Sequence, residues 1–183
     1  RSGLAAARLF GRLGLKVRIV EIKEPSPAVA EECAAQGWEF VSGVHSPAQF
    51  AGAAVIVPSP GVPLPKIETH LSPAQQGLIM GEMELAYTQL RGEPILAVTG
   101  TSGKTTTVSV AAAMLEEAGK KIFLGGNIGT PLSEYVLAQY QGAAQADVLV
   151  LEVSSFQLQT CRTFRPKVAV LLNISENHLD HHQ

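Results

Sequence analysis

The sequence predicts an α/β protein built on parallel sheets, and three observations carry that reading. Short apolar runs alternate with stretches of helical composition along the chain, the pattern of successive βα units. The stretch Ile95-Leu-Ala-Val-Thr-Gly-Thr-Ser-Gly-Lys-Thr-Thr-Thr107 reads as a buried strand, a glycine turn and a helix opening at Lys104. A second glycine-rich turn, Gly125-Gly-Asn-Ile-Gly-Thr-Pro131, follows another strand, and the apolar run Asp147–Val153 carries a single carboxylate, Glu152, near its carboxyl end.

Taken in order, Arg1 to Gly14 reads as a helix and Lys16 to Glu21 as an alternating strand that ends in an acid. In an open parallel sheet a helix that feeds such a strand itself follows a strand, so the natural protein is expected to extend N-terminally by at least one strand and a glycine turn. Ser2-Gly3 would close that turn, and a sheet without its first strand is expected to be poorly soluble as a bare fragment. Glu21 stands where nucleotide-binding folds place a ribose-binding carboxylate, and equally where a surface acid ends a strand. Ser26-Pro27 opens a helix that stops at Gly37. Glu39–Ser42, Ala53–Val57 and Leu78–Met80 read as strands, and Gly81–Leu90 as a helix carrying Glu82 and Glu84. Between the last two strands, Pro58-Ser-Pro-Gly-Val-Pro-Leu-Pro65 is a rigid loop at a strand's carboxyl end, fitted to a ligand edge or to a stiff connector. Arg91-Gly-Glu-Pro94 is expected to separate one βα series, residues 1–92, from another, residues 93–183.

In the second series, strands are expected at Lys120–Leu124, Asp147–Val153 and Val168–Leu172, with helices over 104–118 and 131–140. Gly100 and Gly103 let the backbone turn so that successive N–H groups face an anion, and the helix adds its positive end. Lys104 supplies a point charge for β/γ-phosphates and Thr105 a hydroxyl for Mg²⁺. The spacing is shorter than the general phosphate loop, which puts glycine where this chain has Val98. The bland alternative is a strand-to-helix turn with a solvated lysine. Glu152 is placed to face the nucleotide's Mg²⁺, because a buried acid needs a metal or a basic neighbour. Asn173 to His182 closes the last strand with His178, Asp180, His181 and His182, of which the last two histidines read as solvated.

Composition bounds the rest. The 183 residues, 46% of them hydrophobic and 16% charged, make a globular core and argue against disorder. A net charge of −2 without a basic run gives no electrostatic footprint for nucleic acid. Cys33 and Cys161 lack metal-ligand spacing and fit reduced thiols of a cytosolic protein. No apolar run is long enough to span a bilayer and no secretory leader opens the chain, so a cytoplasmic location without membrane insertion is expected.

In order along the chain, the short phosphate loop, Asn127-Ile-Gly129, the strand-end acid and the Asn177-His-x-Asp180 turn resemble the Mur ligases, ATP-dependent amide-forming enzymes of peptidoglycan synthesis. Glu152-Val-Ser-Ser-Phe-Gln-Leu158, with Ser59-Pro-Gly-Val62, is similar to the member that adds D-glutamate to UDP-N-acetylmuramoyl-L-alanine. The resemblance implies a Rossmann-like N-terminal domain, lacking its first strand, followed by a portion of a P-loop central domain. It implies ATP contacts from Gly100, Thr101, Ser102, Gly103, Lys104, Thr105 and Thr106, and Mg²⁺ ligation by Thr105, Glu152 and His178. Lys104, Glu152 and His178 would form the catalytic set, while Ser2, Glu21, Ser59, Pro60, Gly61 and Asn127 would hold the UDP substrate. Two positions depart from the family pattern. Ser102 stands where Asn is common, and Asn177 where an acid is expected, which thins the second metal edge. The family's carbamylated lysine, adenine-gripping residues and C-terminal domain would lie beyond Gln183, so the chain is expected to be a monomeric piece of a ligase and inactive alone. Alternatives are another Mur ligase, a folylpolyglutamate synthase-like enzyme, or a non-catalytic nucleotide-binding fragment.

Overall fold

The protein is seen in a computed structural model that describes residues 2–175. Helix α1 (Ser2–Arg12) leads to β1 (Arg18–Glu21), α2 (Pro27–Gln36) and β2 (Glu39–Ser42). β1 and β2 pair in parallel, with Arg18 opposite Glu39 and Glu21 opposite Ser42. Pro27 opens α2 as expected, but the Ser26 hydroxyl makes no capping bond. Gly37 ends that helix at φ 67°, a left-handed turn that returns its N–H to the Ala34 and Cys33 carbonyls.

The next stretch departs from the sequence reading. Ala53–Val57 and Leu78–Met80 are not strands; they touch through one parallel bridge, Ile56 to Ile79. Ile56 N–H donates to Leu78 O and Met80 N–H to Ile56 O, and pairing stops there. A turn at Gly52 (φ 72°) precedes Ile56, and Pro58, which has no N–H to donate, follows it. Two short helices lie between, α3 (Leu64–Glu68) and α4 (Pro73–Gln76), so the proline-rich loop ends inside a helix. Phe50, Ile56, Ile67, Leu71 and Ile79 bury a small core beneath them. Helix α5 (Glu82–Tyr87) is shorter than expected. Thr88 Oγ1 bonds back to Leu85 O at 2.7 Å, and Gln89 and Leu90 make i→i−3 bonds that tighten the chain out of the helix.

The second half follows the expected order: β3 (Ile95–Thr99), α6 (Lys104–Glu117), β4 (Ile122–Gly126), α7 (Leu132–Tyr140), β5 (Val148–Glu152), α8 (Ser155–Leu158) and β6 (Val168–Leu171). The sheet runs β4-β5-β3-β6, parallel throughout. Its interior strands are covered on both faces, which is why they read as near-continuous apolar runs. Leu149 and Leu151 pack to one side with Ile95 and Ala97, while Val150 and Val98 pack to the other against Val108 of α6.

Three helices build the first of those sides: α1, α5 and α7, through Ala6, Leu9, Met83, Ala86, Leu132 and Val136. The segment Arg91–Pro94 does break the helix-strand pattern, yet the core runs across it. Buried polar groups tie this layer. Glu82 Oε1 accepts from Ser133 N–H at 2.6 Å, at the start of α7. Glu93, also buried, accepts from Tyr135 Oη at 2.9 Å and Arg91 N–H at 2.7 Å. Nearer solvent, Arg8 of α1 reaches Glu32 of α2 at 2.6 Å and Glu134 of α7 at 2.8 Å. If α1 belongs to this core, Leu9→Ala, which empties a fully buried site, should cost about 2–5 kcal/mol in urea unfolding. Val29→Ala on partly covered α2 should cost clearly less.

Candidate functional site

The site begins where β3 ends. Gly100 (φ 139°) and Gly103 (φ 85°) both need positive φ, and a Cβ on Gly100 would press on the Asn173 backbone at 3.1 Å. The loop is clamped from β6's trailing segment. Asn173 O accepts Thr101 N–H at 3.0 Å, its Oδ1 accepts Ser102 N–H at 2.9 Å, and its Nδ2 donates to Ser102 O at 3.0 Å. Thr101 Oγ1 and the Ser175 backbone exchange bonds at 3.0 and 3.2 Å. The amides of Gly103, Lys104, Thr105 and Thr106 keep no acceptor among the described residues. Together with the fourteen-residue helix behind them they form an anion-facing end. Lys104 Nζ folds back onto Gly100 O at 2.6 Å and Thr101 O at 3.0 Å.

Glu152 closes the constellation. It is 2% exposed at the end of β5, and both oxygens are engaged: Thr105 Oγ1 donates to Oε2 at 2.6 Å, and Asn127 Nδ2 to Oε1 at 2.7 Å. Asn127 N–H also donates to Glu152 O at 2.8 Å. Gly126 (φ 98°) permits that approach, because a Cβ there would collide with the Glu152 carbonyl. Within the chain, two neutral donors answer both oxygens of this buried acid. Thr105 hydroxyl and the Glu152 carboxylate are hard oxygen donors side by side, the donor set that suits Mg²⁺, so the residues fit that ion. Lys104 and the free amides likewise fit a polyphosphate.

Only part of the second group of expected residues, Ser59 and Pro60 with Ser2 nearby, gathers at another place. A shallow open cleft lies between the Pro58–Val62 loop, the start of α5 and the α8 turn. Ser59 and Pro60 line it, and a Cβ on Gly3 would sit 3.2 Å from Ser59 Oγ, so the start of α1 with Ser2 adjoins this loop. Val62 N–H donates to Ser59 O at 2.9 Å, turning the chain at Pro60-Gly61. Glu21 is exposed at the end of β1 and its Oε1 accepts from Ile22 N–H at 2.8 Å. Asn127 lies on Glu152, at the phosphate-loop end. His178, with Asn177, Asp180, His181 and His182, falls outside the described residues.

Several participants were missed in the sequence. Asn173 holds the loop, and Gln157, 5% exposed, lines the cleft. Its side chain forms a capping box with Ser154: Ser154 N–H and Oγ donate to Gln157 Oε1 at 3.0 and 3.1 Å. The Ser-x-x-Gln spacing was the available signal. Asn173 carried none, since its partner lies 71 residues away. Burial raises the Cys161 thiol to about 12, with Glu84 adding to the rise, so this thiol stays protonated at neutral pH. Among the described residues, no cluster of three metal-ligating side chains forms, and no helix is long and apolar enough to cross a membrane.

Residues 98–183 match the Mur ligase middle domain family. The whole chain aligns with UDP-N-acetylmuramoylalanine--D-glutamate ligase of Nitratidesulfovibrio vulgaris (strain Miyazaki F), at 59% identity and 42% of that protein's length. The protein of the same name from Oleidesulfovibrio alaskensis is 60% identical and covered to 41%. The chain thus spans about two fifths of these relatives. In fold it resembles the UDP-N-acetylmuramate:L-alanyl-gamma-D-glutamyl-meso-diaminopimelate ligase of Neisseria meningitides, with a TM-score of 0.54 and 23% identity, over all of this chain and 59% of that one. Removing the Asn127 amide should leave Glu152 half-satisfied, so Asn127→Ala is expected to cost about 1–3 kcal/mol in chemical unfolding. Gly126→Ala should cost at least as much and weaken nucleotide binding with it, measured by titration of a non-hydrolysable ATP analogue.

Proposed function

We propose that this chain, which belongs to the Mur ligase family, is the substrate- and ATP-binding portion of a ligase that joins D-glutamate to UDP-N-acetylmuramoyl-L-alanine. The observation that carries the reading is the Thr105–Glu152–Asn127 constellation beside the open amides of the phosphate loop. Identity of 59% to a relative of that name, along the full chain, supports the choice of amino acid and UDP substrate.

Residues 93–183 take ATP and residues 1–92 the UDP nucleotide, with Ser2, Glu21, Ser59, Pro60 and Gly61 on the nucleotide side. The reaction runs in two displacements. An oxygen of the substrate's terminal carboxylate attacks the γ-phosphorus of ATP, and ADP leaves. The amine of D-glutamate then attacks the acyl carbon, loses a proton and expels inorganic phosphate, leaving an amide. The physical obstacle is repulsion, because a carboxylate must approach a triphosphate that is already anionic. The amides of residues 103–106, and Lys104 once turned from its loop carbonyls, oppose that repulsion. Mg²⁺, held by Thr105 and Glu152 with His178 at a second position, would supply further charge neutralisation. Ser102 presents its backbone to Asn173, so the Ser-for-Asn departure leaves the cradle's framework intact. The enzyme works as a cytoplasmic monomer in this reading.

The test is phosphate release from ATP by the complete gene product, given UDP-N-acetylmuramoyl-L-alanine with and without D-glutamate. Release that needs both, with amide product by mass, is expected; release that needs a different amino acid, or none of the UDP substrate, overturns the assignment. Lys104→Ala should abolish turnover, at least about 10³-fold, with the unfolding midpoint little changed. Near-parental turnover would remove Lys104 from the mechanism.

A further inference from the structure

The cleft beneath the Pro58–Val62 loop has a wall that owes its position to a residue outside it. That wall is the α8 turn, where Gln157 is buried and lines the space. Four residues are too short a helix to hold itself in place. Besides its capping box, the chain that leaves it is bonded to it. The Gln157 carbonyl accepts from Thr160 N–H at 3.2 Å, Thr160 Oγ1 at 3.0 Å and Cys161 Sγ at 3.3 Å, so residues 160–161 move with the turn.

The following residues are fastened to segment 77–84, which also makes the cleft's floor through Gly81, Glu82 and Met83. Arg162 donates to Gly77 O at 2.8 Å and Ile79 O at 3.1 Å. Gly81 is packed so closely on Thr160 that any side chain there would collide with its hydroxyl. The strongest fastening is Glu84. It is 1% exposed, and both oxygens are used: Oε1 accepts Thr163 N–H and Thr163 Oγ1, each at 2.6 Å, and Oε2 accepts Phe164 N–H at 3.0 Å. Phe164 then packs edge-on to Tyr87, with ring centroids 5.3 Å apart.

We infer that Glu84 is a positioning residue for the UDP-substrate cleft: by gripping Thr163 and Phe164 it fixes the Gln157 wall relative to the cleft floor. The inference rests on the proposed function only for the identity of the ligand. Burial alone would raise this carboxyl, but the bonds from Thr163 and Phe164 outweigh burial and hold it below the usual range, so the grip is ionised near neutrality. A carboxamide of the same shape cannot copy it. One of its two ends is a donor, and it would face an N–H or a hydroxyl that is already donating.

The experiment uses the complete gene product, and compares Glu84→Gln and Thr163→Val with the parent. Thr163→Val removes only the hydroxyl from an exposed position and leaves both amide donors, so it remains informative should Glu84→Gln fold poorly. Affinity for UDP-N-acetylmuramoyl-L-alanine is expected to fall about tenfold in Glu84→Gln and about two- to threefold in Thr163→Val, with no further loss in the double variant. Affinity for a non-hydrolysable ATP analogue, read at the distant phosphate loop, should stay within about twofold. Amide hydrogen exchange at Thr163, Phe164 and the last turn of α8 should quicken in Glu84→Gln without ligand. Unchanged exchange at those amides overturns the inference, as does equal loss of both ligands, which a merely structural role would give. A parent that does not bind the UDP substrate overturns the proposed function instead, and the exchange result alone then decides whether Glu84 holds the turn.

Discussion

A single buried carboxylate organises the glycine-loop end of this molecule. Glu152 brings three separate chain segments to one point: β5 by its own backbone, the start of α6 through Thr105, and the turn after β4 through Asn127. A carboxylate so enclosed is tolerable only when its lone pairs are answered, and neutral hydroxyl and amide donors answer them here. The backbone has been shaped to permit this. Gly126 gives up a side chain so that Asn127 can reach both the carboxylate and the carbonyl of the same residue. The sheet order β4-β5-β3-β6 then follows functionally, since it sets β5 beside both strands whose trailing turns must meet its acid.

The same strand links the glycine loop to the cleft. Glu152 faces the phosphate loop, and five residues later Gln157 faces the cleft beneath the proline-rich loop. The short path between them is stiffened by the Ser154–Gln157 capping box. On the other side of the sheet, α1, α5 and α7 share one core, and Arg8 ties α1 to both α2 and α7. That ion pair is partly exposed, so it orients the helices more than it stabilises them. Apolar packing around Leu9, Leu132 and Leu149 supplies the cohesion.

Legibility in the sequence followed the range of the interactions. The second half was readable because its strands are continuous apolar runs and its turns carry glycines with a backbone purpose; β3, α6, β4, α7, β5 and β6 fall within two residues of expectation at most ends. The proline-rich region was not. Ala53–Val57 has the composition of a buried strand, but Pro58 and the Gly52 turn leave Ile56 alone to pair, and composition cannot weigh pairing against its flanks. Lys104, Thr105 and Glu152 stand out by local pattern, and the fold brings Thr105 and Glu152 together. The partners that complete the site do not stand out, because the bonds from Asn173 to Ser102, and from Glu84 to Thr163, join residues more than seventy positions apart. Spacing rules do not extend that far.

The folded-back Lys104 changes what binding means at this loop. Two of its three N–H donors go to the carbonyls of Gly100 and Thr101, so an anion does not meet a bare charge. Docking there is an exchange of partners: two good hydrogen bonds are surrendered, and their loss is recovered only by a ligand able to offer more. A lone chloride or carboxylate, with one unit of charge, competes poorly against two carbonyl dipoles at 2.6 and 3.0 Å. A polyanion that meets the lysine and several loop amides together has more contacts with which to compete. The half-buried ammonium is thus held within the loop's own hydrogen bonds, and any anion that engages it competes with those carbonyls.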